Sequence, residues 1–215
     1  MLIYLFVETE INGNFHSQEG AEPREGELCE ARCETLSVKP NLVQIDDSGI
    51  GSPVGGAAIG ALDMGTGLFK YKLVGVEYFQ DGFKKEYQDV VVRIVGELFA
   101  EMGVSKEEYR VEICSGHIFD HVRSWMDGEG FEWKTAKILD PLQGLIENAF
   151  SDYLVSVGVP ERIRSIEVGR DQFMYLFNWV KHDPDNRVKY CKTNGNKWKT
   201  KWSLKLYEKP RVVKK

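Results

Sequence analysis

Apolar positions along the chain recur with two periods. Residues 41–46 (NLVQID) and 56–62 (GAAIGAL) are short, largely apolar runs, and residues 68–79 (LFKYKLVGVEYF) are rich in β-branched and aromatic side chains. These runs predict three successive antiparallel strands, the last two joined by a hairpin turn at Met64-Gly-Thr-Gly67. Across residues 84–102 the period lengthens: Tyr87, Val90, Val91, Ile94, Leu98 and Met102 stand mostly three or four apart. That spacing predicts an amphipathic helix ending before Gly103. Residues 110–114 (RVEIC) then form a strand, 117–126 a helix after Ser115-Gly116, and 135–139 (TAKIL) another strand. Asp140-Pro141 has the look of a cap residue followed by a first-turn proline, opening a helix that stops at Gly158.

The resulting order, β-β-β-α-β-α-β-α over residues 41–158, predicts an α/β fold: a mixed sheet with helices on both faces. Residues 1–40 contribute an N-terminal strand (MLIYLFVETE) and a Glu/Gly/Pro-rich loop. Beyond Pro160, residues 163–168 are expected as a strand, 170–181 as a helix with an aromatic face, and 188–206 as a hairpin turning at Asn194-Gly195. Residues 159–215 therefore form an α+β extension packed on the core.

Charge changes the picture more than composition does. At 215 residues, 42% hydrophobic and 28% charged, the chain is ordinary for a globular protein. Its net charge of −5 is unevenly spread, because residues 187–215 hold eleven Lys and Arg against Glu208 alone, leaving −15 for the rest. A basic end on an acidic body points to nucleic acid or another polyanion as partner. The opening lacks a basic start and a small-residue cleavage site, so it matches neither a signal peptide nor a membrane span. The expectation is a cytoplasmic protein with Cys29, Cys33, Cys114 and Cys191 as free thiols. Cys29 and Cys33 have a metal-like spacing, but no second pair follows at a finger-like distance.

The candidate chemistry centres on residues 45–56, IDDSGIGSPVGG. As a phosphate cradle the stretch fails: its third glycine comes late for G-x-G-x-x-G, Pro53 interrupts, a strand follows, and no Gly-Lys-Ser/Thr is present. With the element order, however, VQIDDSGIGSPVGGAAIGAL resembles the first-strand motif of type 2 ribonucleases H. In that motif a hydrophobic strand ends in Asp-Glu, followed by Ala-Gly-Arg-Gly-Pro and a second apolar strand. The likeness covers residues 41–157 as topology and about 43–62 as motif, and it implies a ribonuclease H-like fold. It also implies hydrolysis of phosphodiesters at carboxylate-held Mg²⁺ or Mn²⁺, with Asp46 as first carboxylate and Asp47 in place of Glu. Ile50 stands where the family has a basic residue. Cys114-Ser115-Gly116 lacks the aspartate expected at the end of the next parallel strand.

Two metal ions about 4 Å apart need several carboxylates converging from different strand ends. Asp46 and Asp140, with Glu112 or Asp120 as the third acid and Asp47 as a helper, are the candidates. Each has a plainer use: Asp47 as the start of a turn, Asp140 as a helix cap, Glu112 as a solvent-facing strand residue. His117 and His121, four apart, would share a helix face, yet Ile118 stands where zinc proteases carry Glu. In the basic C-terminal segment Trp198 and Trp202 alternate with Lys197, Lys199 and Lys201. A strand would send the two sets to opposite faces, one to pack or stack on bases and one to meet phosphates. Two functions stay open: a metal-dependent nuclease, and a catalytically inactive nucleic-acid-binding or interaction module of the same fold.

Overall fold

The computed structural model describes residues 41–82 and 86–208. The expected N-terminal strand and Cys29 and Cys33 lie outside these. Strands β1 (Asn41–Ser48), β2 (Ala57–Asp63) and β3 (Phe69–Val74) form an antiparallel meander. Helix α1 (Glu86–Met102) then leads to β4 (Tyr109–Ile113), which pairs parallel to β1. Helix α2 (Asp120–Glu129) leads in turn to β5 (Glu132–Thr135), parallel to β4, and α3 (Leu142–Ser156) follows. The sheet order is β3-β2-β1-β4-β5. This five-stranded mixed sheet has the ribonuclease H-like topology, with β1 at its centre between an antiparallel and a parallel neighbour.

The period-2 pattern of the strands divides the core. Val43 and Ile45 of β1, Ala57, Ile59 and Ala61 of β2 and Val111 and Ile113 of β4 pack with Val91, Val95 and Leu98 of α1 and Val122 of α2. Ala58 on the opposite face packs with Ile146, Phe150 and Leu154 of α3. Every residue of β2 is buried because both faces are covered. A fully buried Ile or Phe stabilises by roughly 1.5–3 kcal/mol, so Ile45, Ile59 and Ile113 fix the three strands that carry the site.

Helix α3 approaches the sheet closely, and two glycines make this possible. A Cβ on Gly60 would lie 2.9 Å from Ile146 Cδ1, and one on Gly49 would lie 2.4 Å from the Phe150 ring. Gly49 also has φ +97°, a backbone conformation that costs side-chain-bearing residues energy.

Four expected elements differ. The third strand ends at Val74, and Val76–Phe79 of the expected run form a 3₁₀ turn. The fifth strand lies three residues earlier than the apolar run 135–139, because Trp133 and Thr135 pair with Val111 and Ile113 of β4. Ile138 instead joins Leu62 and Leu142 in a small cluster of its own. In place of a strand at 163–168 there is a 3₁₀ turn, Glu161–Ser165.

The hairpin at 188–206 is also absent. Cys191 makes one bridge to Val54, Trp198–Trp202 form a π-helical turn, and a short helical turn (Ser203–Leu206) follows. Trp198 and Trp202 are four apart, a spacing that places two residues on one face in a strand and in a helix alike. Both side chains pack against the cluster formed with α3 and α4 (Arg170–His182), which removes the alternation with lysine that a strand would need. No helix among the described residues is long and apolar enough to cross a membrane.

Candidate metal centre

Asp46 and Asp47 lie near the carboxyl end of β1, where register sets their neighbours. Ile45 pairs with Ile113, so the residue beside Asp46 is Cys114, whose N–H donates to Ile45 O at 3.1 Å. One ligand atom from each of Asp46, Asp47 and Cys114 lies within 4.8 Å of the other two. Among the described residues this is the group of three that could hold a metal ion. The Cys114 thiol faces Asp47 Oδ1 at 3.7 Å and accepts the Gly116 N–H at 3.3 Å. Asp46 Oδ1 accepts the Asp47 N–H at 2.9 Å.

The three groups open onto a cleft of about 440 Å³ whose far wall includes Gln143 and Glu147 of α3. Gln143 Nε2 donates to Glu147 Oε1 at 3.1 Å, which fixes that carboxylate's direction. Glu147 was not legible as a site residue. The signal that could have marked it is the spacing of Gln143 and Glu147, which stand four apart in the first turns of α3 and so share one face.

The electrostatics of the cleft favour a cation. Burial lifts the Asp46 carboxyl above its usual range, and Glu147's charge adds to the rise against hydrogen bonds from Cys114 and the Asp47 amide. Burial and the charge of Asp46 push Asp47 up to about 6, with Lys192 pulling the other way. Burial also pushes the Cys114 thiol up to about 12, so it sits there as a neutral S–H. Carboxylates held at such a cost are relieved by a divalent ion, which reverses the sign of the local field. Hard oxygen donors suit Mg²⁺ or Mn²⁺, whereas a protonated thiol does not. The donor set therefore fits one hard divalent ion held by Asp46 and Asp47, with Glu147 across the cleft.

The other acids have different partners. Glu112 lies two residues before Cys114, accepts from Gln44 at 2.8 Å and pairs with Lys134 at 3.0 Å. Both interactions hold its carboxyl below the usual range. Asp120 pairs with Arg123, which also donates to Cys114 O and Gly116 O and so pins the loop after β4. Asp140 Oδ1 accepts the Gly144 N–H at 3.0 Å, a capping contact at the start of α3. His121 Nδ1 is 2.7 Å from Asp89 of α1, and the His117 carbonyl accepts from Gln88.

The C-terminal segment is stitched to the glycine-rich loop. Gly55 N–H donates to Tyr190 O at 2.8 Å and Lys192 N–H to Pro53 O at 3.1 Å. Lys192 Nζ donates to Gly49 O at 2.6 Å and Ile50 O at 3.2 Å and lies 4.5 Å over the Phe79 ring. Burial lowers its pKa to about 7, against the pull of Asp47. No periodicity could reveal that a lysine 143 positions away holds this loop. Of the basic residues read from sequence, Lys199 pairs with Asp81 at 2.6 Å and Lys201 lies 4.7 Å over Trp202. Trp202 in turn packs against Phe173 and Phe177, with ring centroids 4.9 and 5.0 Å away. Lys197 and Trp198 border a second groove beside the loop.

Neither a protein-family model nor a curated protein sequence matches the chain. Among solved structures the chain is similar to the catalytic core domain of BIV integrase, at 14% identity over 63% of this chain and 77% of that domain, with a TM-score of 0.32. The ribonuclease H-like fold rests on strand order, register and the placement of α1, α2 and α3.

Proposed function

We propose that the protein is a divalent-metal-dependent phosphodiester hydrolase acting on nucleic acid. The observation that carries this reading is the trio Asp46, Asp47 and Glu147 facing one cleft at the carboxyl ends of β1 and β4 in a ribonuclease H-like sheet. Asp46 and Asp47 would hold Mg²⁺ or Mn²⁺, and Glu147, oriented by Gln143, would face it from α3. When bound, the ion supplies Lewis-acid polarisation of a phosphoryl oxygen and acidifies a bound water. In the hydrolysis a water oxygen bonds to phosphorus, the P–O ester bond breaks, and the departing alkoxide takes up a proton. Lys137, exposed on the cleft wall, offers a cation to the substrate's phosphate. The basic residues Lys197, Lys199, Lys201 and Lys205 would meet the same strand farther along the surface.

Cleavage of labelled RNA, DNA and hybrid substrates with Mn²⁺, comparing wild type with Asp46→Ala, tests the proposal. Metal-dependent cleavage by wild type alone supports it, and equal activity in the two proteins refutes it.

One observation favours a second reading, a module that binds nucleic acid without cutting it. Cys114 and Ser115 occupy the strand end where a nuclease of this fold would carry a further carboxylate, and Glu112, Asp120 and Asp140 have other partners. That module would bind nucleic acid through its lysines in the presence of EDTA and show no calorimetric signal with Mn²⁺.

A further inference from the structure

Beside the glycine-rich loop, lined by its Ile50, Ser52 and Pro53, lies a groove of about 360 Å³. Its walls are unusual in chemistry. Phe79, Tyr87, Phe173, Trp198 and Trp202 supply aromatic surface, while Lys192, Lys197 and His117 supply positive or ionisable nitrogen. Phe79 is buried and the other four rings are half-buried, so the groove presents ring surface that the core leaves uncovered. The rings come from four separate parts of the chain, and the lysines flank them.

Aromatic planes beside cations match a flat, polarisable, anionic ligand. A nucleobase with its phosphate has that combination, because every base offers a π face and every link a negative charge. The volume falls in the range of small-ligand sites. An apolar peptide side chain would use the rings and leave Lys197 at the rim unmatched.

The position relative to the carboxylates narrows the ligand further. Ile50, Ser52 and Pro53 line the groove and Asp47 lines the metal cleft. Asp47 and Ile50 are three residues apart, at most about 11 Å along the chain. Lys192 joins the two sites, since it lines the groove, holds the carbonyls of Gly49 and Ile50, and interacts with the charge of Asp47. One strand can therefore reach both.

We propose that this groove receives an unpaired nucleobase, stacked on its aromatic wall, from the strand whose phosphodiester lies at the Asp46, Asp47 and Glu147 cleft. The proposal rests on the nucleic-acid reading above and narrows it to single-stranded or locally unpaired substrate. Trp198 and Tyr87 form the stacking wall, and Lys197 at the exposed rim meets the adjoining phosphate.

The test uses the full chain in EDTA, so that it is independent of metal binding and cleavage. A single-stranded oligonucleotide carrying 2-aminopurine is titrated and its fluorescence read. The same length of abasic backbone, the matching duplex, and the variants Trp198→Ala and Tyr87→Leu are compared with it. The expected result is saturable quenching by wild type, with affinity about tenfold weaker for the abasic strand and for Trp198→Ala. Tyr87→Leu should weaken binding several-fold, and it supplies an independent reading if Trp198→Ala fails to fold. Mn²⁺ affinity by calorimetry stays unchanged in both variants. An abasic strand that binds as tightly as the base-bearing one overturns the proposal, as do equal affinities for duplex and single strand. Loss of this result with Mn²⁺ binding intact overturns the base groove and leaves the metal centre standing.

Discussion

Replacing Asp47 by Asn is expected to stabilise the metal-free protein, although it removes a ligand. Burial and Asp46 raise the Asp47 carboxyl from 3.8 to about 6. A raised carboxyl pKa means the folded state holds the proton more tightly than the unfolded chain does. Stability is therefore undiminished below about pH 3.8, falls as pH rises toward 6, and is lowered by the full amount above that. At about 1.4 kcal/mol per unit the loss is ~3 kcal/mol. Asn keeps the shape and an acceptor for the Cys114 thiol without the buried charge.

For a chain of this size 1 kcal/mol moves the midpoint by about 2–4 °C. Asp47→Asn should accordingly melt roughly 6–12 °C above wild type at pH 8 in EDTA and level with it at pH 3.5. Thermal denaturation followed by circular dichroism at the two pH values reads the difference. Millimolar Mn²⁺ at pH 8 should raise wild type and leave the variant unmoved. A variant no more stable than wild type at pH 8 would refute the view that the carboxylates are held at an energetic cost.

Further outcomes test the surroundings of the site. Gly49→Ala would drive its Cβ into the Phe150 ring at φ +97° and should lower stability by about 2–4 kcal/mol in chemical denaturation. In Glu147→Gln, Mn²⁺ affinity by calorimetry should fall on the order of tenfold, and the Asp46 carboxyl, relieved of Glu147's charge, should titrate lower by NMR. Burial depresses Lys192 from 10.5 to about 7, so the cost of its charge is complete below pH 7 and relieved as pH rises toward 10.5. Relative to Lys192→Met, wild type should therefore gain up to about 1.4 kcal/mol per pH unit across that window; melting the two proteins side by side at pH 7, 8.5 and 9.5 reads this.

The parts of the fold visible in sequence were those set by one dominant period. Strand β1 and helix α1 have a single, strong repeat, and the element order they anchor gave the topology. Strand β5 was displaced because its partners on β4 and not its own apolarity choose the paired residues: Glu132–Thr135 pair, while the more apolar 136–139 run beyond. The C-terminal segment misled because the Trp198–Trp202 spacing satisfies strand and helix together. At the site, Asp46 and Asp47 stood out through their place between an apolar strand and a glycine-rich turn. Glu147 did not, since the apolar face of α3 dominates its pattern, and its approach to Asp46 depends on how α3 crosses the sheet. Lys192 reaches Gly49 through tertiary packing alone.

Asp46 and Asp47 are the proposed cation ligands. Titrating wild type and Asp46→Ala with Mn²⁺ by isothermal calorimetry at pH 7.5 tests this assignment most directly. A saturable binding heat is expected in wild type, and it should disappear in Asp46→Ala while the variant remains folded. Identical isotherms for the two proteins, or no heat from wild type at millimolar Mn²⁺, would contradict it.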